Sequence, residues 1–144
     1  MPVLRELAPT ECERLLRRGM FGRVALTTSH GPDIVPVNYA VRDDAVVIRT
    51  SPEGWLARQA DGQPIAFEVD AVDESRWHGW SVVAHGTGEV VTDGGTTVAG
   101  PFHARPWADG DRSCELRLAW SRLTGRRVGD GWDLEAAMCS GRVR

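Results

Sequence analysis

Apolar and polar positions change period several times along the chain, and each change marks an element. Pro9, Glu11 and the pair Leu15-Leu16, followed by Arg17-Arg18-Gly19, form a helical stripe with an acidic first turn, a basic last turn and a glycine stop. From Gly22 the pattern alternates, predicting strands over Gly22–Thr28, Asp33–Val41 and Ala45–Thr50. Short turns at Ser29-His30-Gly31-Pro32 and Arg42-Asp43-Asp44 suggest that the three form an antiparallel meander. Pro36 cannot donate to a strand ladder, so it marks an edge, a bulge or a point where another partner takes over.

Pro52–Ala60 reads as a short helix closed by Asp61-Gly62. Ile65–Val72 alternates again, with Ile65, Phe67 and Val69 on one face and Ala66, Glu68 and Asp70 on the other. Gly79–Val91 is a longer strand whose Gly86 and Gly88 allow the strong bend of a barrel corner. Thr92–Asp111 is a Gly- and Pro-rich loop with one helical turn. Cys114–Leu123 closes the series, Leu116, Leu118 and Trp120 opposing Glu115, Arg117 and Ala119. About six strands with two or three short helices, and no alternation of strand and helix, predict a mainly β fold, a small antiparallel barrel over residues 1–128. Residues 129–144 read as an extension with a weak helix from Leu134 to Met138, whose Trp132 docks on the body or on a partner subunit.

The chain has 144 residues, enough for one domain with its own core. Its 42% apolar and 26% charged residues place it among globular proteins rather than disordered ones. No apolar run approaches the roughly 18 residues of a membrane span, and the start carries no basic head with an apolar stretch, so a cytoplasmic protein off the membrane is expected. A net charge of −3 with no basic face argues against nucleic-acid binding. All 17 basic residues are Arg. An anion must therefore be held by Arg, hydroxyls or backbone N–H groups, and Schiff-base chemistry on Lys is excluded.

Cys12, Cys114 and Cys139 form no C-x-x-C pair, and His30, His78, His85 and His103 are scattered, so neither a disulfide framework nor a metal site is expected. There is no phosphate-binding P-loop, Gly86-Thr87-Gly88 lacks the context of a dinucleotide fingerprint, and no nucleophile elbow occurs. Glu68, Asp70, Asp73 and Glu74 read as a solvated rim rather than paired catalytic carboxylates.

Two features carry more chemistry. Arg49-Thr50-Ser51 leaves a strand and enters a turn before a helix, offering a guanidinium, two hydroxyls and N–H groups to an anion. The same residues also suit a capped helix with a surface arginine, and local chemistry does not choose. Trp77, Trp80 and Trp107 stand at loops or strand ends, where a flat aromatic ligand or a subunit interface would cover them.

The ordered series Gly22-Arg23-Val24-Ala25, Ile34-Val35-Pro36-Val37-Asn38-Tyr39, Ile48-Arg49-Thr50, Ala66-Phe67-Glu68-Val69-Asp70, Gly79-Trp80-Ser81-Val82, Arg105-Pro106-Trp107-Ala108 and Leu123-Thr124-Gly125-Arg126-Arg127 resembles the pyridoxamine 5′-phosphate oxidase-like family of flavin-binding split-barrel proteins, in particular its small bacterial members. The resemblance implies a split β-barrel homodimer with FMN in a cleft between subunits. It implies that Pro36, Val37 and Asn38 line the isoalloxazine, that Arg49, Thr50, Ser51 and the turn reaching Trp55 hold the phosphate, and that Trp80 and Ser81 contact the ring or ribityl chain. Arg105 and Trp107 would close the cleft from the other subunit.

The chain departs from the family in one respect. Where members usually place a Lys after the phosphate-binding strand, it has Pro52-Glu53-Gly54-Trp55-Leu56. Losing one charge-assisted hydrogen bond weakens binding on the order of tenfold to a hundredfold. The implied activity is an FMN-dependent oxidoreductase acting on an unidentified small organic substrate, with no catalytic side chain required because the flavin carries the chemistry. Two alternatives stay open: a deazaflavin (F420) reductase, and a non-catalytic barrel that binds haem, a nucleotide or a protein partner.

Overall fold

A computed structural model describes residues 3–92 and 113–129. In chain order these form β1 (Leu4–Glu6), α1 (Pro9–Arg18), β2 (Phe21–Thr28), β3 (Gly31–Asn38), β4 (Ala40–Arg42), β5 (Ala45–Thr50), α2 (Trp55–Ala60), β6 (Pro64–Asp73), β7 (His78–Thr92) and β8 (Cys114–Val128). The eight strands make one antiparallel sheet in the order β3-β2-β6-β7-β8-β5-β4, with β1 added alongside β8. Edge strand β3 approaches β5, so the sheet curls toward closure and leaves a split between them.

The mainly β fold with two helices matches the expectation, but the connectivity differs. The stretch expected as one strand over Asp33–Val41 is broken at Tyr39. β3 pairs with β2 at one edge, while β4 pairs with β5 at the other. The meander is therefore two hairpins at opposite edges of the sheet. The cause is Tyr39 itself, whose side chain is buried in the core. Its hydroxyl donates to Leu16 O at 2.7 Å, and its backbone N–H to Met20 O at 3.0 Å. The N–H bond extends the β2–β3 pairing by one position, and the hydroxyl bond ties the ring to the last turn of α1, so the chain leaves the ladder here.

α1 stops at Gly19 as expected, but for a steric reason. Gly19 has an ordinary extended φ of −74°, and a Cβ there would come within 2.0 Å of Tyr39 Oη. α2 begins three residues later than expected, at Trp55, because Gly54 N–H donates to Ser51 O in a tight turn. β1 was not expected from its three residues; it forms by pairing Leu4 with Val128.

Pro36 lies on edge strand β3, opposite Arg23, where a missing N–H costs no ladder bond on the open side. β7 and β8 form the long central pair, with an irregularity between His85 and Gly86. At Gly86 and Gly88, where a bend is expected, close packing requires glycine. A Cβ would lie 2.4 Å from Ala119 O at the first and 2.3 Å from Ala60 O at the second. The core gathers Cys12, Leu15 and Leu16 of α1 with Val46, Ile48, Phe67, Val82, Leu116 and Leu118, each buried large side chain contributing roughly 1.5–3 kcal/mol of transfer free energy. Among the described residues no helix is long and apolar enough to cross a membrane. The expected helical turn within Thr92–Asp111, and the extension after Gly129, lie outside the described residues.

Candidate cofactor site

The expected site residues fall on two regions of the sheet. Arg49 faces Glu115 near the start of β8, whereas Trp80 faces Arg127 near its end. Pro36, Val37 and Asn38 lie on β3, paired with Arg23, Gly22 and Phe21.

At the Trp80 end the sheet surface forms an open concavity of about 680 Å³, within the roughly 300–1,000 Å³ range of small-molecule sites. Leu4, Val72, Trp77 and Val128 give it apolar walls, and Ser81, Asp70 and Arg126 supply polar groups. Asp70, Ser81 and Arg126 stand side by side on neighbouring strands, so a carboxylate, a hydroxyl and a guanidinium share one face. Gly79 leaves the floor beside Ser81 without a side chain.

Trp77 caps the β6–β7 turn with a left-handed φ of 57° and is 77% exposed, an unusual state for a bulky residue. Trp80 is the reverse: it is 3% exposed, lines the concavity, and its Nε1 is buried with no acceptor among the described residues. A buried indole N–H normally has a partner, so this donor is left over for a ligand that displaces the wall of the concavity. Beside the concavity, Arg23 bridges Glu68 at 2.9 Å and Asp70 at 2.8 Å. Burial and the nearby Asp70 push the Glu68 carboxyl upward, and Arg23 opposes them.

At the other end, the alternation of β5 separates the residues of the expected anion corner. Thr50 joins Val46 and Ile48 on the core face and is 3% exposed. Arg49 points to the outer face with Val47. The guanidinium and the Thr50 hydroxyl therefore do not converge on one face. Ser51 is half-buried, and Trp55, at the start of α2, is 39% exposed.

Arg49 does not stand alone. Arg42 donates to both oxygens of Glu115 at 2.5 and 3.3 Å, Arg117 donates at 3.0 Å, and Arg49 Nη2 lies 3.9 Å away. The Glu115 side chain is 6% exposed. Burial alone would raise its carboxyl, but hydrogen bonds from Arg42 and Arg117 outweigh burial and hold it below the ordinary carboxylate value. Sequence reading placed Glu115 and Arg117 on the strand face opposite Leu116 and Leu118 and did not pair them with Arg42 or Arg49. The strand register brings them together, and one strand read alone carries no such signal. Arg105 and Trp107 lie outside the described residues. No group of three or more His, Cys, Asp or Glu side chains able to hold a metal occurs among the described residues.

Comparison with known proteins gives this arrangement a context. A family profile described as pyridoxamine 5′-phosphate oxidase matches residues 8–127. An uncharacterised protein of Mycobacterium tuberculosis, Rv0080, is 32% identical over 128 residues, covering 85% of this chain and 84% of its own length. The FAD binding protein of Mycobacterium smegmatis is 26% identical, with a TM-score of 0.67 over 87% of this chain and 98% of its own. A Corynebacterium glutamicum protein provisionally assigned as a pyridoxamine 5′-phosphate oxidase is 28% identical, with a TM-score of 0.70 over 90% of this chain and 96% of its own. The chain belongs to the pyridoxamine 5′-phosphate oxidase family, and its curled antiparallel sheet is that family's split barrel.

Proposed function

We propose that this chain is a flavin-binding protein that takes FMN in a cleft between two copies of itself and acts in the cytoplasm as an oxidoreductase on a small organic substrate. The observation that carries the reading is the Trp80 concavity: a family member with a mononucleotide-sized hollow and a buried indole N–H with no acceptor among the described residues. When bound, the flavin supplies two-electron redox chemistry through its ring.

The chain's own residues bind and orient. Trp80 Nε1–H donates to a ring carbonyl or ring nitrogen, Ser81 adds a hydroxyl, and the apolar walls exclude water. Edge strand β3, with Pro36, Val37 and Asn38, lines the ring of the neighbouring site. Arg49, Ser51 and the Thr50–Trp55 turn take the phosphate, and Arg105 and Trp107 close the cleft. The two-copy arrangement is supported by the separation of Trp80 and Arg49, which pair with opposite ends of β8 within one chain.

A second reading has a specific support. The Mycobacterium smegmatis relative is described as an FAD binding protein, so FAD is the competing flavin. Titrating FMN, FAD and F420 into the purified protein, while following visible absorbance and sedimentation, separates the readings. FMN bound at one per subunit in a dimer supports the proposal. FAD or F420 bound in preference replaces the cofactor, and a monomer that binds none of the three refutes the reading.

A further inference from the structure

The β6–β7 turn brings an aromatic face and two carboxylates to one end of the Trp80 concavity. Asp73 builds that turn: its Oδ1 accepts from the Ser75 N–H at 3.0 Å, the Ser75 hydroxyl at 2.6 Å and the Arg76 N–H at 3.2 Å. Trp77 then stands outward at a φ of 57°, a conformation that suits glycine better than a bulky residue. Its indole lines the concavity, mostly exposed, together with exposed Leu4 and Val72. Apolar surface gathered this way marks a place where something binds, and a flavin held by Trp80 and Ser81 leaves Trp77 without a role.

Charge divides the concavity into two ends. Arg126, the one arginine among the described lining residues, faces Ser81, and Arg23 holds Asp70 from beside it. At the turn end the lining charges are Asp73 and Glu74. Hydrogen bonds, that from the Ser75 hydroxyl foremost, hold the Asp73 carboxyl below its ordinary value, so it is charged at neutral pH. Arg76 lies 3.8 Å from Asp73 but is 72% exposed, where an ion pair contributes little. Glu74 has no ion pair among the described residues. The turn end is therefore an acidic rim around an upright indole.

We propose that the small organic substrate is a planar aromatic cation, seated face-on against Trp77 with Asp73 and Glu74 as its counter-charges. The indole face attracts a cation more strongly than any other aromatic side chain does, and a charge spread over a ring lets one molecule stack and pair at once. A neutral ring would use the stacking alone, and an anion would meet the carboxylates. The binding site stands on the turn and its charges, whereas calling its occupant a substrate rests on the flavin reading. A molecule on Trp77 shares the hollow with a flavin on the Trp80–Ser81 side.

The test uses the full-length protein, Trp77→Gly, which removes the ring and suits the local φ, and Glu74→Gln. The probe is N-methylquinolinium, with 2-naphthoate as an anion of similar size, and equilibrium dialysis with and without FMN reads binding. The parent should take the cation about tenfold more tightly than the anion. Trp77→Gly should bind the cation about tenfold more weakly than the parent, and Glu74→Gln severalfold more weakly. A parent that does not bind the cation, equal binding of the two probes, or unchanged affinity in Trp77→Gly overturns the site. Release of the cation by saturating FMN also overturns it, because both would then need the same wall. So does sedimentation showing a dimeric parent and a monomeric Trp77→Gly, which makes the ring a subunit contact. If the cation pattern holds in a protein that binds no FMN, the site stands and the flavin reading falls. FMN binding without cation binding leaves the flavin reading and overturns this one. Should Trp77→Gly fail to fold, the loss expected in Glu74→Gln still decides.

Discussion

The Tyr39 hydroxyl donates a 2.7 Å hydrogen bond to the carbonyl of Leu16 in the last turn of α1. That bond closes an otherwise open helix end and fixes the point where the chain leaves one edge of the sheet for the other. The ring also packs on Phe67, with centroids 4.5 Å apart. Burial raises the Tyr39 phenol well above its ordinary value, so it remains a donor throughout the physiological range.

Removing the hydroxyl while keeping the ring should therefore cost stability. Tyr39→Phe leaves a buried carbonyl without its partner, a loss of about 1–2 kcal/mol, read as a lower urea midpoint with an unchanged slope. Gly19→Ala should cost more, because its Cβ would lie 2.0 Å from Tyr39 Oη and 3.1 Å from Val69 Cγ2. Equal stability of all three proteins would show that the anchor is unimportant.

The close packing at Gly88 of β7 gives a second test. Gly88→Ala drives a methyl against the Ala60 carbonyl, which is backbone and cannot swing aside. The expected loss is about 1–3 kcal/mol, the usual range for overpacking. Gly62→Ala meets no atom within 4 Å and carries only the penalty of its φ of +71°, so thermal melts should rank Gly88→Ala as the more damaging.

Glu115 predicts a pH dependence of defined sign. Its folded carboxyl lies below the unfolded value of roughly 4.3, so its contribution to stability is complete above that value. It is lost as pH falls through the lower folded value, where protonation breaks the bonds from Arg42 and Arg117. Glu68 is shifted the other way and opposes this trend. Denaturation of the parent and Glu115→Gln across the acid range should show their stability difference changing only below about pH 4–5. A difference that is constant with pH would contradict the assignment.

Trp80→Phe separates binding from stability. Without ligand, the substitution removes a buried N–H that has no acceptor among the described residues, so the apoprotein should lose little stability for a core aromatic change. If that N–H meets the flavin, affinity should fall about tenfold, equivalent to roughly 1.4 kcal/mol. Apoprotein melts and flavin titrations of the same pair of proteins measure both effects.

Most strands were readable in the sequence because alternation and turn chemistry are local. β5 was expected over Ala45–Thr50 and occupies those residues. Tyr39 was hidden because its cause is a bond to a residue 23 positions away. β1 has too few residues to show a period and exists through its pairing with β8.

The site was less legible. Alternation alone could have placed Arg49 and Thr50 on opposite faces. The gathering of Arg42 and Arg117 on Glu115 needs the register of three strands, and Glu115 reads locally as an ordinary solvent-face residue. The Trp80 concavity depends on β1 and the β6–β7 turn meeting at the end of β8, a long-range arrangement with no local signature.

The central claim is that the Trp80 concavity holds a flavin. Equilibrium titration of FMN into the parent protein and Trp80→Phe, followed by quenching of flavin fluorescence, tests it most directly. The account predicts saturable binding at one FMN per subunit in the parent and about tenfold weaker binding in the variant. Unquenched flavin in the parent, or identical affinity in the two proteins, would contradict it.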